Sequence, residues 1–323
     1  MRAPLLFPVF AGFAAAALAA ADGDPLLFTG MCDASAAAPI NQELFIVADD
    51  EENILRVYRR IGGEPVVEVD VREYLGTRKG GQEADLEGAA PLGQFVFWIG
   101  SHGRNAKGKE SPLRQRLFAT RVDTRGNSLE ITPLGHPYTR LLQDLLADDR
   151  YSRFGLAAAA QLSPKAPGGL NIEGLAATPD GHLLIGFRNP LPEGKAIVAP
   201  LLNPVKVIDG DRAQLGEPQL LDLDGLGIRS IGLVDDHYLI IAGPTGVGGR
   251  AKLYEWSGGA DPPQLIKGAE LRGLNPEGVT FRENDKSEFL VLSDDGQRTV
   301  DGVECKNLKD PTLKRFRGMV LKL

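Results

Sequence analysis

Four acidic residues of this 323-residue chain stand in similar surroundings, each at the head of a short apolar run. They are Asp33 in Cys32-Asp33-Ala34-Ser35-Ala36, Glu87 in Asp85-Leu86-Glu87-Gly88-Ala89, Glu173 in Asn171-Ile172-Glu173-Gly174-Leu175, and Glu277 in Asn275-Pro276-Glu277-Gly278-Val279. Carboxylates brought together repel one another unless protons, hydrogen-bond donors or a cation compensate. A hard cation such as calcium, Ca²⁺, suits such oxygen ligands, and the guanidinium groups of Arg104, Arg188 and Arg229 would serve the same end. A second polar set closes the following apolar runs: Asp49 with Asp50, His102 with Arg104 and Asn105, Arg188 with Asn189, and Asp294 with Asp295. His102 is the best candidate acid or base, because imidazole titrates near neutrality. With Asp33, Glu87, Glu173 and Glu277 on the metal and Arg104 and Arg188 orienting an anion, the set would support Ca²⁺-assisted hydrolysis of a phosphoester or a lactone. A structural role is equally open, in which each acid accepts N–H bonds from a neighbouring sheet and His102 is a hydrogen-bonded surface residue. No Gly-x-Ser-x-Gly, P-loop, dinucleotide fingerprint or zinc-spaced Cys/His cluster occurs.

The elements that would position these residues repeat. After each acid comes a hairpin turn and a more hydrophobic strand: Leu44 to Asp50, Gln94 to Ile99, Leu184 to Asn189, Phe289 to Leu292. A fainter copy, Arg229-Ser230-Ile231-Gly232-Leu233 with Tyr238 to Gly243, places Ile231 in the position of the acid. The units recur at roughly 50-residue spacing once a helix-like insertion from about His136 to Gly168 is set aside, which is the period of a propeller blade. Four antiparallel strands per unit predict an all-β five-bladed β-propeller, or six blades if the insertion hides one. In the last unit the chain ends before a fourth strand, and Leu26 to Thr29 from the other end of the chain would supply it. Strand direction then gathers the acids, the polar ends of the second strands and the long connections on one rim, where a ligand or partner would bind. Tyr138, Leu141, Leu142, Leu145 and Leu146 are spaced as the apolar stripe of a helix packed on the propeller.

A net charge of −7 and the lack of a basic stripe argue against nucleic acid as partner. Arg2 followed by the uncharged run Leu5 to Ala20, with small residues before Asp22, reads as a signal peptide over residues 1–21. Export to the periplasm or the extracellular space is expected, as a monomer without a membrane span after cleavage; an uncleaved anchor is the alternative. Residues 22–323 would then form one propeller domain. Cys32 and Cys305 fall at the start of the first unit and in a late loop of the last, neighbours once a ring closes, and are a candidate disulfide.

With Gly30-Met31-Cys32-Asp33-Ala34-Ser35-Ala36, the run Val47 to Tyr58, Asp85-Leu86-Glu87-Gly88 and Asn171-Ile172-Glu173-Gly174 in place, the chain resembles the bacterial domain-of-unknown-function family 3616 over most of its length. That resemblance implies no particular activity. Asp85-Leu86-Glu87-Gly88 is also similar to strand starts of phytase-like and esterase-like propellers, some calcium-dependent, although Asn171 and Asn275 depart from the leading Asp. Two functions follow as expectations: a Ca²⁺-assisted hydrolase of a small anionic substrate, or a non-catalytic propeller binding a ligand or protein on the long-loop rim.

Overall fold

The computed structural model describes residues 24–77, 82–126, 128–246, 248–269, 271, 273–282 and 285–322. The expected leader, residues 1–21, lies outside them. Five four-stranded antiparallel sheets follow one another around a ring, so the chain is a five-bladed β-propeller. Blade 1 is built from Ala34–Pro39, Leu44–Asp49, Ile54–Arg59 and Val67–Asp70, innermost strand first. Blade 2 is Leu86–Leu92, Phe95–Gly100, Leu117–Arg125 and Ser128–Tyr138; blade 3 is Asn171–Ala177, Leu183–Asn189, Ala196–Leu201 and Gln219–Leu221. Blade 4 is Gly227–Val234, His237–Gly243, Lys252–Trp256 and Gln264–Leu265. Blade 5 takes Pro276–Arg282, Asp285–Ser293 and Arg315–Lys322 from the end of the chain and Leu26–Thr29 from its beginning.

Alternation along the second strands explains the stacking. Successive side chains point to opposite faces of a sheet, and here both faces are buried. In blade 2, Val96 and Trp98 pack with Ile46, Leu55 and Val57 of blade 1, while Phe97 and Ile99 pack with Leu175 and Ile185 of blade 3. Ile240 of blade 4 faces Val198 of blade 3, and its neighbours Leu239 and Ile241 face Val279 and Val291 of blade 5. Each such side chain removed from water contributes about 1.5–3 kcal/mol.

The final junction is the most cross-linked. Leu26 to Thr29 pair antiparallel with Gly318 to Arg315, as the missing fourth strand required. Phe28 stacks on Phe316 with ring centroids 4.9 Å apart, and the Tyr58 hydroxyl of blade 1 donates to the Thr29 carbonyl at 2.8 Å. Cys32 and Cys305 form a buried disulfide across the same junction.

The insertion departs from expectation at its start. The outer strand of blade 2 runs on to Tyr138, which pairs with Leu117, so the helical part begins after it as three short helices, Leu141–Ala147, Asp149–Ser152 and Leu156–Ala159. Leu141, Leu142 and Leu145 are buried, but Leu146 is 41% exposed because it lies one residue off the stripe. No described helix is long and apolar enough to cross a membrane.

The glycine after each glutamate is a packing requirement. A Cβ on Gly174 would come within 2.7 Å of Ile228 Cγ2, and one on Gly88 within 2.9 Å of Leu175 Cβ, whereas at Gly278 the nearest atom is 3.3 Å away. Gly88→Ala and Gly174→Ala are expected to cost about 1–3 kcal/mol through overpacking, and Gly278→Ala less; urea denaturation would rank them. Replacing both cysteines by serine should lower stability by about 2–5 kcal/mol, because the disulfide closes a loop of 273 residues in sequence separation. The same measurement with and without reductant on the wild-type chain provides the check.

Candidate functional site

Each innermost strand pairs antiparallel with the second strand, so its first residues lie beside the other's last: Leu86 opposite Gly100, Asn171 opposite Asn189, Pro276 opposite Ser293, Ala34 opposite Asp49 and Gly227 opposite Gly243. One step inward every blade has a register shift that leaves one residue extra. These residues are Ser35, Glu87, Glu173, Arg229 and Glu277. Such a bulge re-aims the extra side chain, and the five bulges set one ring of side chains around the channel mouth. The equivalence read from the sequence is therefore corrected by two residues in blades 1 and 4. Ser35, not Asp33, matches the glutamates, and Arg229, not Ile231, holds the fourth position. Ile231 instead packs in the apolar layer between blades 3 and 4.

Arg229 ties two of the acids together. It is 7% exposed and its guanidinium pairs with Glu277 and, at 3.6 Å, with Glu173; it also donates to Asn275 Oδ1 at 2.8 Å. A second shift in blade 3 makes Arg188 the extra residue on the facing strand, and it donates to Glu173 Oε1 at 2.6 Å. Asn171 Nδ2 donates to the same oxygen at 2.7 Å. Glu173 and Glu277 are thus compensated by two guanidinium groups.

Glu87 is not. Oxygens of Asp50, Asp85 and Glu87 lie within 4.8 Å of one another. Of the three, Asp85 holds Arg114 at 2.8 Å, at a left-handed φ of 53° that Asp tolerates. Burial, opposed by Arg114, raises its carboxyl to about 6. Burial and the neighbouring carboxylates, Glu173 foremost, push Glu87 well above the usual range. Burial and Glu87 do the same to Asp50, whose buried Oδ1 has no hydrogen-bond donor. Such an arrangement of oxygens, charged and under-protonated only at a cost, suits a hard cation. Asp85 and Arg114 were not singled out from the sequence, although the Asp two residues before the bulge was visible in the repeated phrase.

The remaining candidates are spread around the rim. Asp33 forms an isolated bridge with Asp294, and its carboxylate fills the space beside Gly296. Burial and then Asp294 and Asp49 raise it to about 9. Asp49 is raised to about 6 by burial and Glu52, while its Oδ1 accepts the N–H groups of Glu51 and Glu52 at 2.8 Å. Asp295 is paired with Arg317 at 2.7 Å, and Asp294 accepts from Asn275 Nδ2 at 2.9 Å. His102 is buried with Nδ1 2.8 Å from the Gly100 carbonyl and Nε2 unpartnered; burial lowers it to about 4. Arg104 donates to the Ala160 carbonyl at 2.9 Å, and Asn189 to the Pro164 and Ala166 carbonyls at 3.0 and 2.9 Å, so both grip the insertion. Arg188 also donates to the Pro244 carbonyl at 2.8 Å.

The family model described as "Protein of unknown function (DUF3616)" matches residues 33–124 and 119–300. No curated protein matches the chain by sequence. Among solved structures it is similar to Myxococcus xanthus glutaminyl cyclase, at 10% identity and a TM-score of 0.46 over 95% of this chain and 98% of that one. It is also similar to Staphylococcus aureus virginiamycin B lyase, at 7% identity and TM-score 0.42 over 93% and 99%. A third is a Xanthomonas campestris gluconolactonase, at 15% identity and TM-score 0.38 over 95% and 88%. None of the three lends this chain a residue role.

A carboxyl that binds its proton more tightly folded than unfolded loses stability as pH rises between the two pKa values. For Asp33 that window runs from the ordinary carboxylate range up to about 9. Asp33→Asn is therefore expected to flatten the decline of metal-free stability between pH 5 and about 9, as followed by thermal melts across that range. An unchanged pH slope would contradict the assignment.

Proposed function

Because this chain belongs to the DUF3616 family, whose activity is unassigned, its function is read from its own residues, and we propose that it is an exported propeller that binds a divalent cation, Ca²⁺, at the channel mouth and through it an anionic ligand. The observation that carries the reading is a local charge balance. Glu173 and Glu277 face Arg188 and Arg229, and Asp85 faces Arg114. Asp50 and Glu87 are left with no guanidinium pair among the described residues, and two uncompensated carboxylates match the charge of one divalent ion. Asp50, Asp85 and Glu87 would hold it, with the rest of its six to eight oxygen positions open to water or ligand. Of the acids first considered as ligands, Glu87 keeps that role, while Glu173 and Glu277 are its ion-paired surroundings and Asp33, raised to about 9, stands by as a neutral carboxyl at neutral pH. Export is supported by the disulfide, which persists in oxidising compartments.

Hydrolysis of a phosphoester or lactone at the same ion is the second reading, favoured by the free, buried Nε2 of His102. When bound, the cation would polarise a phosphoryl or carbonyl oxygen. Against a general-base role stands the low pKa of His102, about 4, which makes it a weak proton acceptor at neutral pH. Arg104 and Arg188 then serve as positioning residues, holding the insertion and the loop at Pro244 in place. Binding of a ligand is the stronger of the two.

Calorimetric titration is expected to find one Ca²⁺ site in the wild-type chain, with a rise in Tm. Glu87→Gln combined with Asp50→Asn should abolish both while leaving the fold intact in far-UV circular dichroism. Affinity should fall from pH 8 to pH 5, because protons compete for the same raised carboxylates. Absence of heat and of thermal stabilisation in the wild type refutes the cation site, and turnover in a phosphoester and lactone screen would favour the hydrolase reading.

A further inference from the structure

The bulge ring carries acid at three of its five positions, serine at one and arginine at one. Arg229 is the exception, and it stands between the bulges of blades 3 and 5, whose residues are both glutamates. Its guanidinium reaches Glu173 on one side and Glu277 on the other, with Asn275 Oδ1 at 2.8 Å. Asparagines precede both glutamates by two residues, and their amides donate to them, Asn171 at 2.7 Å and Asn275 at 3.4 Å. Two buried oxygens of these residues lack a donor. Glu173 is 3% exposed and its Oε2 has no hydrogen bond; Asn171 is 4% exposed and its Oδ1 has none either. Arg229 Nε, 3.6 Å from Glu173 Oε2, makes that ion pair without a hydrogen bond.

We propose that Glu173, Glu277, Asn171 and Asn275 form a second cation site that the chain fills with its own guanidinium, so that Arg229 fixes the number of metal ions at the mouth. Two carboxylates and two amide oxygens are a hard-oxygen set. A guanidinium brings one positive charge spread over a plane, and it leaves Glu173 Oε2, 3.6 Å from Nε, without a hydrogen bond. Removing that side chain from a buried position leaves a space bounded by anions, with nothing else to neutralise Glu277 among the described residues. Arg188 remains on Glu173 Oε1, so the vacated site keeps one carboxylate without a guanidinium, Glu277, beside the second oxygen of Glu173. The inference rests on the ring geometry and, for the count of ions, on the cation site at Asp50, Asp85 and Glu87.

Terbium luminescence and Ca²⁺ calorimetry on the full chain, wild type against Arg229→Ser, give the count. The expected result is one ion in the wild type and two in Arg229→Ser, with Arg229→Lys remaining at one because the charge is kept. Arg229→Ser should also melt lower than the wild type in chelator and recover most of that loss in excess Ca²⁺, a readout independent of any activity. Adding Glu277→Gln to Arg229→Ser should return the count to one. If Arg229→Ser is folded and binds no more ions than the wild type, the inference is wrong; failure to fold even in excess Ca²⁺ is equally adverse, since a cation would then not replace the guanidinium. A wild type binding none with a variant binding one upholds this site while refuting the site at Glu87.

Discussion

Everything at the channel mouth depends on how a closed ring disposes of charge. Five innermost strands converge on the channel mouth, and a bulge in each re-aims one side chain there. Buried carboxylates persist there only with a proton, donors or a cation beside them. The protein uses all three means in different sectors. Guanidinium groups serve Glu173 and Glu277, backbone N–H groups serve Asp49, and burial beside other acids keeps a proton on Asp33. Asp50 and Glu87 are pushed upward by the same burial beside acids and have no guanidinium pair among the described residues, which sets them apart from Glu173 and Glu277.

The ring geometry that creates the problem is itself secured at one junction. Between blades 5 and 1 the chain's two ends share a sheet, an aromatic cluster and a disulfide, and Asp33, next to Cys32, bridges to Asp294. The other four junctions are continuous in sequence and rest on alternating apolar side chains. Closure costs the chain entropy at one place only, so covalent and aromatic cross-links are concentrated there. The glycines after Glu87 and Glu173 belong to the same economy of space, since the approach that lets neighbouring blades touch leaves no room for a Cβ.

The architecture was legible because each blade repeats a hairpin with a turn and a doubly buried second strand, signals that survive in every unit. The terminal strand and the cysteine pair followed from counting strands in a ring. The site was legible only in part. A bulge breaks the two-residue alternation that sequence reading relies on, so Ile231-Gly232-Leu233 passed for the Glu-Gly-Leu phrase of Glu173 and hid Arg229 in its true place. Asp33 likewise stands where the repeat puts the bulge residue, a place that the register gives to Ser35. Partnerships between loops were out of reach: nothing local in the sequence says that Arg104 and Asn189 hold carbonyls of the insertion rather than face a ligand.

Those loop contacts make the rim asymmetric. The turn around Pro164 to Ala166 lies against Gly103 of blade 2, is gripped by Asn189 of blade 3 and brings the Lys165 carbonyl up to Gly246 of blade 4. Glu173, Arg188, Asn171 and His102 are buried on that side. Asp50 and Glu87 remain partly exposed, on the side of blades 1 and 2. The insertion therefore does more than extend the core: it is anchored through Asn189 and Gly103 beside the sector where Glu173 pairs with Arg188, while Asp50 and Glu87 keep some exposure towards blades 1 and 2. Among the described residues, an ion or ligand approaching the ring meets no guanidinium pair at Asp50 and Glu87.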